Sequence, residues 1–310
     1  GFLYFPQAAI LYAPFTLPTP LGDILWRWVS LGALAVSVWR LAERVAPEKR
    51  AAAFSLATCL ALGPALASAR NGQMNLLLTA LVTLAFIEIA DRRWRRAACW
   101  LCLGAALKPL MIVPMALAAA VYRPLWRPLL GGVAVLFLLP FFTQHPSYVW
   151  QQYGECLHKL FLAGNPGAEN PGSDLFGLLS SWGYVAPLTV QTLTRVAAAG
   201  ATLLLAMMAA RRTAFLVFAL AACYLALFNP RMENNGFVLL GPVMGWLAAE
   251  SLLLDGRRAV AIVIAIASLA ITFNYQITGG HNFWLCPLMG AVVWLCVVAR
   301  SLAGTVNHQG

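Results

Sequence analysis

Apolar runs long enough to cross a bilayer recur along this 310-residue chain, and no other feature restricts its fold so strongly. Candidate spans fall at roughly 24–41, 51–69, 73–90, 125–143, 188–210, 213–228, 237–254, 259–277 and 284–300. In hydrocarbon every backbone N–H and C=O must be satisfied internally, and runs of this length satisfy them as helices. The composition agrees, at 61% hydrophobic and 10% charged with a mean hydropathy of +0.75. The expectation is an all-α, polytopic integral membrane protein. With no internal repeat and no soluble segment of domain size, residues 1–310 read as a single transmembrane domain.

Residues 97–122, "AACWLCLGAALKPLMIVPMALAAAVY", admit two topologies. As one helix they would bury Lys108 mid-membrane beside a proline that breaks the hydrogen-bond ladder. As two half-length helices meeting at Lys108-Pro109 they enter and leave on one side. Charge separates the two. The formal charge of +10 is carried by short basic clusters between apolar runs, a pattern that orients a membrane protein rather than one that binds nucleic acid. With the broken pair, 15 of the 21 basic residues share one face: Arg40, Arg44, Lys49, Arg50, Arg92, Arg93, Arg95, Arg96, Arg123, Arg127, Arg211, Arg212, Arg257, Arg258 and Arg300. A single span would scatter them, so the broken pair is preferred and the basic face is read as cytoplasmic.

Several function classes lack their required parts. The sequence has no Walker-type GxxxxGK[ST], no HExxH and no GxSxG. Its seven cysteines are odd in number and lie almost entirely within apolar runs, and the Cys99/Cys102 pair sits in an apolar helix with no second ligand pair. Nothing calls for a cofactor or metal. The opening "GFLYFPQAAILYAPF" has neither a basic leader nor a small-residue cleavage site, and reads as the interior of a longer protein.

The scarce polar residues converge on the face opposite the basic clusters. "SARNGQMNLLLT" places Arg70, Asn71, Gln73 and Asn75 at the junction of two spans. They suit a solvated turn bent at Asn71 or Gly72, or a headgroup site in which Gln73 offers amide donors and Arg70 a charge. Asn75, already within the apolar run, requires a partner. Lys108 suits snorkelling to the headgroups or a cation for a lipid phosphate. "FNPRMENNGF" brings Arg231 and Glu233 into one short loop, as an ordinary polar turn or as an ion pair able to bind sugar hydroxyls. His281, near Asn274 and Tyr275, reads as an interfacial hydrogen-bonding residue or a site residue. Asp23, Glu155, Glu169 and Asp174 read as solvated loop charges. The 144–187 loop carries "PSYVWQQYGECLHKLFL", in which Tyr148, Trp150, Tyr153, Leu157, Leu160 and Phe161 approximate a helical stripe. An amphipathic helix at the membrane interface is the expectation there, followed by a Gly/Pro/Asn-rich crossover.

In order and spacing, "FLYFPQAAILYAPFTLPTPLGDILW", "NGQMNLLL", "GAALKPLMIVP" and "NPRM" resemble the bacterial integral-membrane glycosyltransferases of family 87. That resemblance covers chiefly residues 1–130, with "NPRM" near 229 as a later anchor. It implies the C-type glycosyltransferase fold in the bacterial cytoplasmic membrane, with an outward-facing site. It also implies inverting transfer of a hexose, mannose above all, from a polyprenyl-phosphate carrier to a lipid or glycan acceptor. By motif matching it points to Tyr4 and Pro6, Gln73 and Asn75, Lys108 and Arg231. The general base implied is an aspartate in a first outer loop, after a first span, both expected upstream of Gly1. A flippase or secondary transporter for a lipid-linked or polar substrate would also use broken helices, with binding groups near the midplane and two similar halves. An accessory subunit without chemistry is the third class to separate.

Overall fold

The computed structural model describes residues 4–18, 20–163, 173–209, 213–279 and 284–303. Arg211, Arg212, Glu169 and His281 lie outside the described residues. The described chain is helical throughout: α1 (Pro6–Tyr12), α2 (Leu21–Val45), α3 (Arg50–Arg70), α4 (Asn75–Ala90), α5 (Trp94–Leu107), α6 (Ile112–Val121), α7 (Trp126–Leu138), α8 (Pro146–Ala163), α9 (Leu175–Ser181), α10 (Leu188–Ala209), α11 (Ala214–Phe228), α12 (Leu240–Ala249), α13 (Arg258–Thr272), α14 (Asn274–Thr278) and α15 (Leu285–Ala303). Among the described residues, six helical stretches are long and apolar enough to span a membrane: Leu21–Val45, Pro47–Arg70, Arg123–Phe142, Leu188–Ala209, Asn234–Leu254 and Leu285–Ala303. Four apolar helices are shorter: Asn75–Ala90, Pro109–Val121, Ala214–Phe228 and Arg258–Thr272. The protein is thus an all-α, multi-pass membrane protein.

Burial sorts these helices into layers. The α4, α11 and α12 helices are apolar on nearly every side and buried on nearly every side, as helices at the centre of a bundle must be. Phe86 of α4 stacks on Phe218 of α11 with ring centroids 5.4 Å apart. Around this centre α2, α7, α10 and α15 keep large apolar side chains on the outside, among them Trp28, Leu130, Leu204 and Leu295. Such a surface is stable only against lipid or another apolar partner. Small residues bring α3 and α12 close together: a Cβ added at Gly245 would lie 2.8 Å from the Ala57 Cα, and one at Gly241 3.0 Å from the Ala61 Cα.

Residues 97–122 form two helices rather than one. Lys108 follows α5 in an extended conformation (φ −148°, ψ 127°), the region that a following proline favours. One 3₁₀ turn at Pro109–Met111 then starts α6. The pair folds back on itself, because Trp94 at the start of α5 and Tyr122 just after α6 lie ring to ring at 6.1 Å. Both outer ends of the hairpin therefore sit together, with Lys108 at its tip.

Most ion pairs among the described residues gather at one end of the bundle. Buried Glu88 at the end of α4 lies 3.8 Å from Arg40 and 3.6 Å from Arg93, while Arg44 reaches Asp91 at 3.2 Å. Arg300 bridges Glu250 at 3.1 Å and Asp255 at 2.8 Å. Lys49 Nζ donates to the Leu253 carbonyl at 2.8 Å. The Lys108 tip and the 229–236 turn lie at the other end.

Candidate functional site

The turn between α3 and α4 is built by its glycine. Gly72 takes φ +60°, which only a residue without Cβ adopts cheaply. Its N–H donates to the Ala69 carbonyl at 3.2 Å and the Gln73 N–H to the Ser68 carbonyl at 2.9 Å, the paired bonds of a Schellman stop. The indole of Trp26 donates to the Gly72 carbonyl at 2.9 Å. The stop leaves Arg70 exposed and starts α4 at Asn75, which is buried.

Asn75 is held at both ends of its side-chain amide. Its amide donates to the Gln73 Oε1 at 3.1 Å, and its Oδ1 accepts from Lys108 Nζ at 2.9 Å. A buried amide in an apolar helix needs such partners, and here they tie the start of α4 to the tip of the α5–α6 hairpin. Burial pushes the Lys108 ammonium below its ordinary value, and the nearby Glu233 carboxylate opposes that shift. Burial also raises the Tyr4 phenol, with Glu233 adding to the effect.

The 229–236 turn is held on several sides. Asn229 accepts the Arg231 N–H on its Oδ1 at 3.2 Å and the Met232 N–H on its carbonyl at 3.0 Å. Met232 is buried, and its carbonyl accepts the Ser173 N–H at 2.8 Å. Ser68 donates to the Asn235 carbonyl at 2.8 Å. These anchors fix where Arg231 and Glu233 stand.

Tyr4, Asn75, Lys108, Arg231 and Glu233, drawn from four separate stretches of sequence, line one cavity of about 460 Å³. One flank is apolar, with Leu110, Val113, Leu160, Leu225 and Phe228. Gln73 supports the cavity through Asn75 rather than lining it, and exposed Arg70 does not line it. His281 lies outside the described residues, so its relation to the cavity is not part of this geometry. A smaller cleft of about 190 Å³ shares Tyr4 and is bordered by Phe5, Pro6, Gln152, Glu155 and Lys159. Cations, a carboxylate and an apolar wall together suit an amphiphile with an anionic head and a hydrocarbon tail.

A sequence profile described as glycosyltransferase family 87 matches residues 2–230. The chain belongs to glycosyltransferase family 87. At the level of the family this links it to transferases acting on polyprenyl-phosphate sugars. None of the curated proteins compared with the chain matches it.

Two residues of this family 87 chain were missed by the reading of its sequence. Arg195 lies within the predicted span 188–210 and lines the cavity. Its signal was visible as the one charge in an otherwise apolar helix, where a charge requires a partner. Asp174, read as a solvated loop charge, is instead buried and paired with Arg195 at 2.8 Å. It also caps α9, accepting the Gly177 N–H at 2.9 Å. The Gly/Pro/Asn-rich stretch before it gave no hint of this partner. The α8 stripe also divides: Tyr148, Trp150, Leu157 and Phe161 face outward, whereas Tyr153 is buried and donates to Gln7 Oε1 at 3.0 Å.

Proposed function

We propose that this protein transfers a hexose, mannose being the first to test, from a polyprenyl-phosphate carrier to a lipid or glycan acceptor. One observation carries the reading. The cavity joins cations able to hold a phosphate to an apolar flank able to hold the start of a polyprenyl chain. Lys108 and Arg231 hold the phosphate, while Glu233 and Tyr4 offer a carboxylate and a phenol to sugar hydroxyls. As the anomeric bond breaks, the phosphate takes up the electron pair, and fixed cations aimed at that charge lower the barrier. The acceptor approaches through the smaller cleft on the other side of Tyr4. Transfer inverts the anomeric carbon, with a carboxylate base taking the acceptor's proton. The exposed apolar face of α8 lies at the membrane interface on the same side.

The site faces the outside of the bacterial cytoplasmic membrane in this reading, because the opposite end carries the basic ion-pair clusters. A polar cavity at one end of the bundle also favours a transferase over a transporter, whose binding groups cluster near the midplane. The test is incubation of membranes containing the protein with radiolabelled polyprenyl-phosphate hexoses, followed by product analysis. Labelled acceptor with release of polyprenyl phosphate is expected. Movement of intact labelled donor across the membrane, with no bond cleaved, would sink the proposal.

A further inference from the structure

Arg195 is the single charged residue of α10, a helix whose Leu193 and Val196 face outward with roughly two-thirds of their surface exposed (64% and 65%). Its own side chain is turned inward and only 12% exposed. Two contacts hold its guanidinium, a third its backbone, and a fourth holds its partner. Nη2 donates to Asp174 Oδ2 at 2.8 Å, and the guanidinium carbon sits 4.9 Å from the Phe176 ring centroid. Tyr224 donates its hydroxyl to the Arg195 carbonyl at 3.4 Å, and Asp174 is itself held by its cap on α9. Yet the guanidinium is not satisfied: Nε is buried without a hydrogen-bond partner among the described residues. An ion pair kept only for stability gains most when every donor is used, since both charges have been taken out of water. Here a buried arginine is locked in one orientation, lines the cavity, and keeps donors in reserve.

We propose that Arg195 is a third phosphate-binding cation of this cavity and that Asp174 and Phe176 are its positioning residues. The proposal rests on the reading of the cavity as a polyprenyl-phosphate-sugar site and adds to it a division of labour. Lys108, Arg231 and Arg195 set against Glu233 and Asp174 leave one net positive charge, which matches the single negative charge of a phosphate diester. On transfer the anomeric C–O bond to phosphate breaks and its electron pair stays on the phosphate oxygen. The acceptor oxygen forms the new bond, its proton passes to the base, and the leaving phosphate monoester gains a second negative charge. Arg195, half-neutralised by Asp174 before the reaction, answers that second charge. Its loss weakens the product and the transition state more than the donor.

The decisive variant replaces both members of the pair, Asp174→Asn with Arg195→Gln, so that no unpaired charge is left buried. It is purified beside the wild type and compared by thermal unfolding and by binding of polyprenyl phosphate, with neutral polyprenol as the control. The expected result is a melting temperature close to wild type with polyprenyl-phosphate affinity reduced at least about tenfold, as for loss of one charged contact. A folded double variant that binds polyprenyl phosphate as well as wild type overturns the proposal. Lys108→Ala run in parallel tells the two readings apart: weakened binding there but not in the double variant removes Arg195 alone, whereas a wild type blind to polyprenyl phosphate removes the reading of the cavity. The single Asp174→Asn variant is expected to lower kcat at least about tenfold with donor KM within about threefold of wild type; equal changes in both would assign Asp174 to the fold alone. Should the double variant not fold, the wild type decides. An arginine-selective dicarbonyl should modify Arg195, and polyprenyl phosphate, but not polyprenol, should protect it. An Arg195 that is never modified, or is modified equally with and without ligand, overturns the assignment.

Discussion

Replacing Lys108 by glutamine separates its charge from its hydrogen bond. The ammonium donates to Asn75 Oδ1 at 2.9 Å, and Asn75 is itself buried. Alanine at this position would leave Oδ1 without a donor, at a cost of about 1–3 kcal/mol. Glutamine keeps a donor of similar reach and removes only the charge. If Lys108 holds the phosphate, the loss is that of a charge-assisted contact, about 1.5–3 kcal/mol, or roughly 10- to 150-fold at about 1.4 kcal/mol per decade. The assay measures kcat/KM for transfer from radiolabelled polyprenyl-phosphate hexose in membranes, with folded yield followed by size exclusion in detergent. Lys108→Gln should lose at least about tenfold with yield intact. Lys108→Ala should lose as much or more and show lower yield. Wild-type transfer by a well-folded Lys108→Gln would refute the phosphate role and leave Lys108 as a partner for Asn75.

Arg231→Ala should also reduce transfer at least about tenfold with normal yield, measured in the same assay; unchanged transfer would take Arg231 out of the site. Burial holds the Lys108 ammonium below its ordinary value, so in the empty protein its charge is lost with rising pH earlier than that of an ordinary lysine, which titrates near about 10.4. Polyprenyl-phosphate affinity should fall along that alkaline limb, and Lys108→Arg should move the limb upward, since a guanidinium keeps its proton there; identical limbs would show that another group titrates. Gly245→Ala places a Cβ 2.8 Å from the Ala57 Cα, an overpacking costing about 1–3 kcal/mol, and should lower the melting temperature in detergent. Gly131→Ala, whose Cβ would meet nothing within 4 Å, is the control, and equal melting temperatures would refute the close approach of α3 and α12. Cysteines placed at Arg93 and Asn234 in a cysteine-depleted background should react with an impermeant maleimide from opposite sides of the membrane; labelling from the same side would overturn the orientation of the bundle.

The helix pattern was legible in the sequence because the bilayer imposes it. Runs of about twenty apolar residues admit few other structures, and the predicted span 188–210 falls on α10 at Leu188–Ala209. The break at Lys108-Pro109 was legible for a similar reason, since a proline and a lysine together cannot continue a buried helix. Gly72 likewise announced a turn. Boundaries differed where packing extends a helix past its apolar run, as in α2, which reaches Val45 and carries Arg40 and Arg44 into ion pairs with Glu88 and Asp91.

Sequence alone therefore determined the solvent, the succession of apolar helices and the break at Lys108-Pro109, because hydrocarbon leaves the backbone little choice and charge density marks the loops. It named Asn75, Lys108 and Arg231 singly but left each with a structural alternative. Only the tertiary structure decided which polar groups meet. Lys108 finds Asn75 33 residues away, and Asp174 finds Arg195 21 residues away, across α9 and the turn into α10. Those pairings depend on how helix faces pack, and the pattern of apolar residues specifies that a face is buried without specifying against what. The solvated loop charge expected at Asp174 became a buried ion pair for that reason, and Arg195, one charge in an apolar run, acquired a cavity to face.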